Sequence, residues 1–143
     1  MSKLIFFLFL CGLIFIVYLK QSEIVENHYQ AYTNLIESGD LSNGWINKIP
    51  ESSTNITEYH NIDTNEVWIN FSHINTYKSF ASCKKIDEIK VGLLPHSYPN
   101  TKWKSTFKDN LAEGLKFKCE ESLVVIKNME NFSHVMIYRK SEE

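Results

Sequence analysis

Cysteine and histidine are the residue types in this 143-residue chain best able to bind a metal or act as a nucleophile and base. The histidines have no partner among themselves at the i+2 or i+4 spacing that could place two imidazoles on one metal ion, and the cysteines form no CxxC motif. Ser52, His60 and Asp63 can be written as a triad, but their spacing gives it no support. The sequence therefore predicts no catalytic residue, metal or cofactor, and it leaves enzymatic activity undecided with a non-enzymatic role favoured. The histidines are His28, His60, His73, His96 and His134.

Cys83 and Cys119 are the only thiols beyond the first twenty residues. Outside the cytoplasm they can pair, and the chain-entropy model gives such a bridge about 3–4 kcal/mol of stabilisation. Leu115, Phe117 and Cys119 alternate with charged residues, which predicts a half-buried strand with Cys119 on its core side. The alternative is two unpaired buried cysteines.

The N-terminal segment 4–19 contains no charged residue and lies between Lys3 and Lys20. A helix of this length spans about 24 Å, a little less than the hydrocarbon core of a bilayer. We expect a membrane anchor in contact with the lipid bilayer, with the N-terminus in the cytoplasm and the remainder extracytoplasmic, at the inner (cell) membrane. A cleaved signal peptide and a lipoprotein modified at Cys11 are the alternatives, although no small-x-small cleavage site is present.

Apolar residues then recur at helical spacing from Ile24 to Ile36, and Gly39 is a natural helix stop. With no proline or glycine between the two segments, we expect the membrane helix to continue into an amphipathic helix. The predicted fold class is α+β, with this helix packed on a small antiparallel β-sheet. The predicted divisions are a membrane anchor at 1–20, an amphipathic helix at 21–39 and an antiparallel β-rich ectodomain at 40–143.

Within the ectodomain, residues 54–73 have the pattern of a β-hairpin. Taking Thr64 and Asn65 as a two-residue turn pairs Ile62 with Val67 and Glu58 with Phe71. One face of the hairpin then carries the apolar residues of the core. That face comprises Ile56, Ile62, Val67, Ile69 and Phe71, whereas Tyr59 and Trp68 lie on the other.

Three short blocks resemble a family of small, membrane-anchored bacterial proteins without an assigned activity. The blocks are GWI at 44–46, IPESSTNI at 49–56 and HNIDTN at 60–65, and they match a GW-I/L-P…LPxSAxxI…HxLDTN signature. The order Cys83, Trp103, Cys119 also fits that pattern. The resemblance implies one ectodomain fold and no particular chemistry.

The formal net charge of −2 disfavours a nucleic-acid-binding role. The favoured function is a membrane-anchored binding module of the cell envelope that contacts a protein or another envelope component. Trp45, Tyr59 and Trp68 are its candidate contact residues, because aromatic side chains outside a core often anchor interfaces. The alternative is a pilin-like structural subunit that assembles through its long N-terminal helix.

Overall fold

Seven antiparallel strands form one sheet in the computed structural model, which describes residues 6–12, 14, 24–40, 49–74 and 80–140. The strand order across the sheet is β1-β2-β3-β7-β6-β5-β4. One helix lies between the first and second strands of the chain and another between the fourth and fifth, and a short 3₁₀ turn covers Val91–Leu93. The elements are β1 (Ile24–Ala31), α1 (Tyr32–Ser38), β2 (Thr54–Asn61), β3 (Val67–His73), β4 (Lys84–Lys85), α2 (Thr101–Glu113), β5 (Leu115–Cys119), β6 (Ser122–Asn128) and β7 (Ser133–Arg139).

The predicted fold class, a transmembrane helix continuing into an amphipathic helix on a small sheet, is wrong. The segment expected to form the first turns of the amphipathic helix is strand β1, and only α1 is helical there. The sheet is the dominant element and not a small one. Residues 6–12 and 14 are helical and exposed, and among the residues that the structure describes no helix is both long and apolar enough to cross a membrane.

Residues 24–31 form strand β1 because pairing with β2 stabilises them more than a helix with weakly spaced apolar residues would. Seven of the eight residues of β1 have partners in β2, from Ile24 opposite Asn61 to Ala31 opposite Thr54. A two-residue period places Val25 and Tyr29 on one face, and Tyr29 is buried there. Helix α1 begins directly after β1 and ends as expected at Gly39, whose φ of 83° is left-handed.

The β2–β3 hairpin has the predicted faces but a register shifted by two residues. His60 lies opposite Val67, and Glu58 lies opposite Ile69. The turn is longer than expected, and the side chain of Asn61 organises it. Asn61 Oδ1 accepts hydrogen bonds from the backbone N–H groups of Asp63 and Thr64, at 2.9 and 3.0 Å. A shift of two keeps every side chain on its face, so the core assignment holds except for Ile62, which lies in the turn and is exposed.

Both faces of the sheet are covered. The first face carries one apolar cluster, packed against α1, Ile49 and Phe80. The second face carries another cluster, in which Trp68 and Tyr138 lie among side chains of α2. This double coverage explains why β6 and β7 are apolar on both sides: Leu123 to Ile126 and Val135 to Tyr138 are all buried.

The predicted disulfide between Cys83 and Cys119 is confirmed. It links the segment before β4 to the end of β5, on the first face of the sheet, where both residues pack against the apolar cluster. The predicted alternation of β5 is also confirmed, since Phe117 is buried between exposed or partly exposed lysines.

Candidate functional site

An open groove of about 750 Å³ lies on the second face of the sheet, beside the N-terminal half of α2. Its floor consists of side chains from four adjacent strands, β1, β2, β3 and β7. Its wall is formed by the residue before α2 and the first turns of that helix. The floor residues are Glu26, His28, Thr57, Tyr59, Asn70, His134 and Met136, and the wall residues are Asn100, Thr101, Lys102, Trp103 and Thr106.

The strand register brings the floor residues together in rows. His28 lies opposite Thr57, Thr57 opposite Asn70, and Asn70 opposite Met136, so one row crosses all four strands. Directly opposite residues of an antiparallel pair project to the same face with their Cβ atoms about 5 Å apart. The next row begins with Glu26 and Tyr59. The groove floor is therefore a strip that is polar from β1 to β3 and ends at the apolar Met136 on β7.

His28 connects the two rows. One ring nitrogen, Nδ1, lies 3.0 Å from Thr57 Oγ1, and the other, Nε2, lies 2.8 Å from Glu26 Oε1. The order hydroxyl, imidazole, carboxylate is the one that activates nucleophiles in hydrolases. The side chains of His28 and Glu26 are 64% and 46% exposed, however, so solvent competes for both contacts. An exposed network of this kind suits ligand binding better than proton transfer in a dry site.

His134 supplies a neutral imidazole at the other end of the floor. Burial lowers its pKa, and the nearby Lys127 charge lowers it further. The side-chain amide nitrogen of Asn110 lies 2.8 Å from His134 Nδ1. An amide NH₂ group can only donate, so Nδ1 accepts this hydrogen bond and the ring proton lies on Nε2.

The wall of the groove is held by the start of α2. Asn100 caps the helix by accepting a hydrogen bond from the backbone N–H of Trp103, at 2.7 Å. The Trp103 ring stacks on Phe107 with centroids 4.7 Å apart, which anchors the first turns to the second apolar cluster. Tyr59 lies between floor and wall, with Glu26 and Asn100 beside it in the groove lining, and burial is the main cause of its raised pKa.

The three aromatic residues predicted as contacts have different positions. Tyr59 is largely buried but lines the groove. Trp68 is fully buried beneath α2 and offers no surface to a partner. Trp45 lies outside the described residues.

Several groove residues were not identified from the sequence, notably His28, Thr57, Asn70 and His134. Histidine spacing was searched within single segments, whereas these residues meet across strands that are distant in sequence. The polar alternation of β1 and β2 was the available signal, and β1 was interpreted as a helix. Among the described residues, no group of three or more His, Cys, Asp or Glu side chains could hold a metal ion.

Comparison with known proteins adds one match. A family model described as the YbbD head domain matches residues 23–72. The matched segment comprises β1, α1, β2 and most of β3, and so includes the floor residues of the groove from β1 to β3. Similarity to a small bacterial family is thus supported over this segment, whereas the three-block signature stays a prediction. No curated protein and no solved structure matches the chain.

Proposed function

We propose that the domain of residues 24–140 is an extracytoplasmic binding module that holds a ligand in the groove beside α2. The observation that carries this proposal is the composition of the second sheet face. Under α2 that face is apolar and closed, whereas the adjacent strip through His28, Thr57 and Asn70 is polar and open. A groove of this volume lies within the range of small-molecule sites.

The disulfide supports an extracytoplasmic location. Structural disulfides persist in oxidising compartments and are rare where thioredoxin and glutathione keep thiols reduced. Cys83 and Cys119 are joined on a sheet face that also supplies much of the core. Attachment to a membrane through residues 4–19 stays a prediction, because half of that segment lies outside the described residues.

The donors and acceptors of the groove favour an uncharged ligand rich in hydroxyl groups, such as an oligosaccharide of the envelope. Hydroxyl, amide and imidazole groups each donate and accept, which matches a ligand whose hydroxyls do the same. The charged lining residues, Glu26 and Lys102, have opposite signs, so the groove has no net preference for an ion. The floor extends over three strand spacings, about 14 Å, long enough for an oligosaccharide of about two or three units.

The pilin-like alternative required a continuous helix from the N-terminus through residue 38. Strand β1 occupies residues 24–31 of that interval and pairs with β2 along its whole length. The surface that such assembly would use is therefore part of the sheet, and the binding module is the better proposal.

Calorimetric titration of the protein with tetramers of N-acetylglucosamine and of glucose tests the proposal. Thr57→Val removes one hydroxyl from the centre of the floor without changing side-chain size, and it should weaken binding about tenfold, the expected effect of one lost hydrogen bond. Thr54→Val is the matched control, since Thr54 lies on the same strand, is exposed and is not part of the groove. Equal affinities for both variants, or heat release from neither saccharide, would contradict the proposal.

A further inference from the structure

Strand β1 is an edge of the sheet among the strands that the structure describes. An edge strand presents unpaired backbone N–H and C=O groups and can pair with another strand. The opposite edge, β4, is only two residues long and consists of Lys84 and Lys85, which discourages pairing. Strand β1 has eight residues and no bulge against β2, so it is the longer and more regular of the two edges.

The direction of the backbone groups of β1 follows from its pairing with β2. The N–H of Asn61 donates to Glu66 O at 2.9 Å, so the odd-numbered residues of β2 bond to β3 and its even-numbered residues bond to β1. Each even-numbered residue of β2 lies opposite an odd-numbered residue of β1. The even-numbered residues Glu26 and His28 therefore direct their N–H and C=O groups outward, away from the sheet.

We propose that β1 pairs with β1 of a second copy of this chain, in an antiparallel twofold dimer centred on Asn27. In this register Asn27 faces its own symmetry mate as a non-hydrogen-bonded pair, and Glu26 faces His28 of the other copy as a hydrogen-bonded pair. The outward backbone groups of Glu26 and His28 on both copies join the two sheets into one. Such a twofold interface uses the same surface on both copies.

Charge complementarity selects this register over its neighbours. With the twofold axis at Asn27, each Glu26 lies opposite His28 of the other copy, a carboxylate facing a hydrogen-bond donor. A twofold axis at residue 26 would place Glu26 opposite Glu26, and an axis at residue 28 would place His28 opposite His28. Opposite charges facing each other across strands stabilise pairing, whereas like charges oppose it. Glu26 and His28 already contact each other at 2.8 Å within one strand, which shows that their side chains reach the distance needed.

The dimer has a consequence for the groove. Glu26 and His28 are the outermost floor residues, at the edge of the sheet. Pairing at β1 places the two grooves end to end on the same face of the joined sheet, with four Glu26 and His28 side chains at the centre. The partner copy then completes the outer end of each groove, so a longer ligand can lie across both.

Cysteine crosslinking of the full chain tests the register directly, with Cys11→Ser as the background. In Asn27→Cys the two introduced residues should have Cα atoms about 4.5 Å apart, within disulfide range, and a mild oxidant should give a covalent dimer. Gln30→Cys is the matched control on the same strand, because its two copies should be separated by six residues along the strand, about 20 Å. Crosslinking of Gln30→Cys as efficient as that of Asn27→Cys would overturn the proposal.

Asn27 also donates a hydrogen bond to Glu58, which Asn27→Cys removes. A second measurement that leaves Asn27 unchanged therefore tests the interface in case this variant misfolds. Sedimentation of the full chain should show a reversible dimer. Glu26→Lys should weaken the dimer about tenfold or more, and the charge swap Glu26→Lys with His28→Glu should restore it. Lys84→Glu, at the other edge, should leave the dimer unchanged. A monomer at every accessible concentration, or a charge swap that fails to restore dimerisation, would refute the β1 interface.

Discussion

At the residue scale, the buried carboxyl group of Glu58 is the least expected feature of the sheet. Glu58 is fully buried on the first face, next to apolar neighbours. Its Oε2 accepts a hydrogen bond from the side-chain amide of Asn27 at 3.0 Å, whereas Oε1 has no hydrogen-bond partner. Burial raises the pKa of this carboxyl to about 7, and the charge of Asp40 adds to the increase. The domain therefore binds a proton here that the unfolded chain releases at a lower pH.

We predict that Glu58 makes the stability of the protein fall as pH rises. The folded-state pKa of about 7 lies above the ordinary value of 4.5, so the stabilising contribution is complete below pH 4.5 and is lost as the pH rises to about 7. The loss should amount to about 3 kcal/mol. Urea unfolding at a series of pH values should show this decrease in the wild type relative to Glu58→Gln, which carries no ionisable group. A constant difference between the two proteins from pH 4.5 to 7.5 would show that the carboxyl has an ordinary pKa in the folded protein.

At the element scale, Gly114 fixes the tight connection between α2 and β5. Its backbone N–H donates to Asn110 O at 2.6 Å and ends the helix. A Cβ atom at this position would lie 2.5 Å from Asn110 O and 2.7 Å from Ile126 O, both backbone atoms. The helix end and β6 are thus in direct contact, and this contact sets where α2 crosses the sheet.

We predict that Gly114→Ala destabilises the protein by roughly 1–3 kcal/mol, because neither backbone oxygen can move without disturbing its element. Gly92→Ala is the control, since a Cβ at Gly92 meets no atom within 4 Å, and it should change stability by less than about 0.5 kcal/mol. Denaturant unfolding of both variants gives the comparison. Equal stability of the two would mean that α2 does not pack this closely on β6.

The elements that the sequence predicted well are those whose partners lie nearby in the chain. Strand β5 shows clear alternation and pairs with the strand that directly follows it, so its pattern was sufficient. Strand β1 was misassigned because its partner, β2, begins more than twenty residues later and supplies the decisive contacts. The groove was missed for the same reason: its floor depends on the pairing of β1, β2, β3 and β7, and on a hairpin register that was off by two.

At the scale of the whole molecule, the sheet is a layer between two apolar clusters, and the disulfide crosslinks only the first. Cys83 and Cys119 are 36 residues apart and join the β4 edge to the end of β5. The second cluster depends on α2, together with a carboxyl group that holds the hairpin turn against β7. Glu66 accepts hydrogen bonds from Tyr138 at 2.6 Å and from Ser97 at 3.3 Å.

We predict that removing the disulfide lowers the free energy of unfolding by about 3–4 kcal/mol, because the unfolded chain regains the freedom of a long loop. The double variant Cys83→Ser with Cys119→Ser should show this loss in denaturant unfolding. Cys11→Ser is the matched control, since Cys11 is an exposed free thiol. A loss no larger than that of the control would show that the crosslink does not stabilise the fold.

Mapping of bound saccharide by NMR tests whether the groove beside α2 is the ligand site. The isotope-labelled protein is titrated with the N-acetylglucosamine tetramer while backbone amide resonances are followed. Saturable shifts should concentrate at His28, Thr57, Asn70 and Lys102, and they should be absent around Cys83 and Cys119 on the opposite face. Shifts that cluster on the disulfide face, or a spectrum unchanged at saturating saccharide, would contradict the claim.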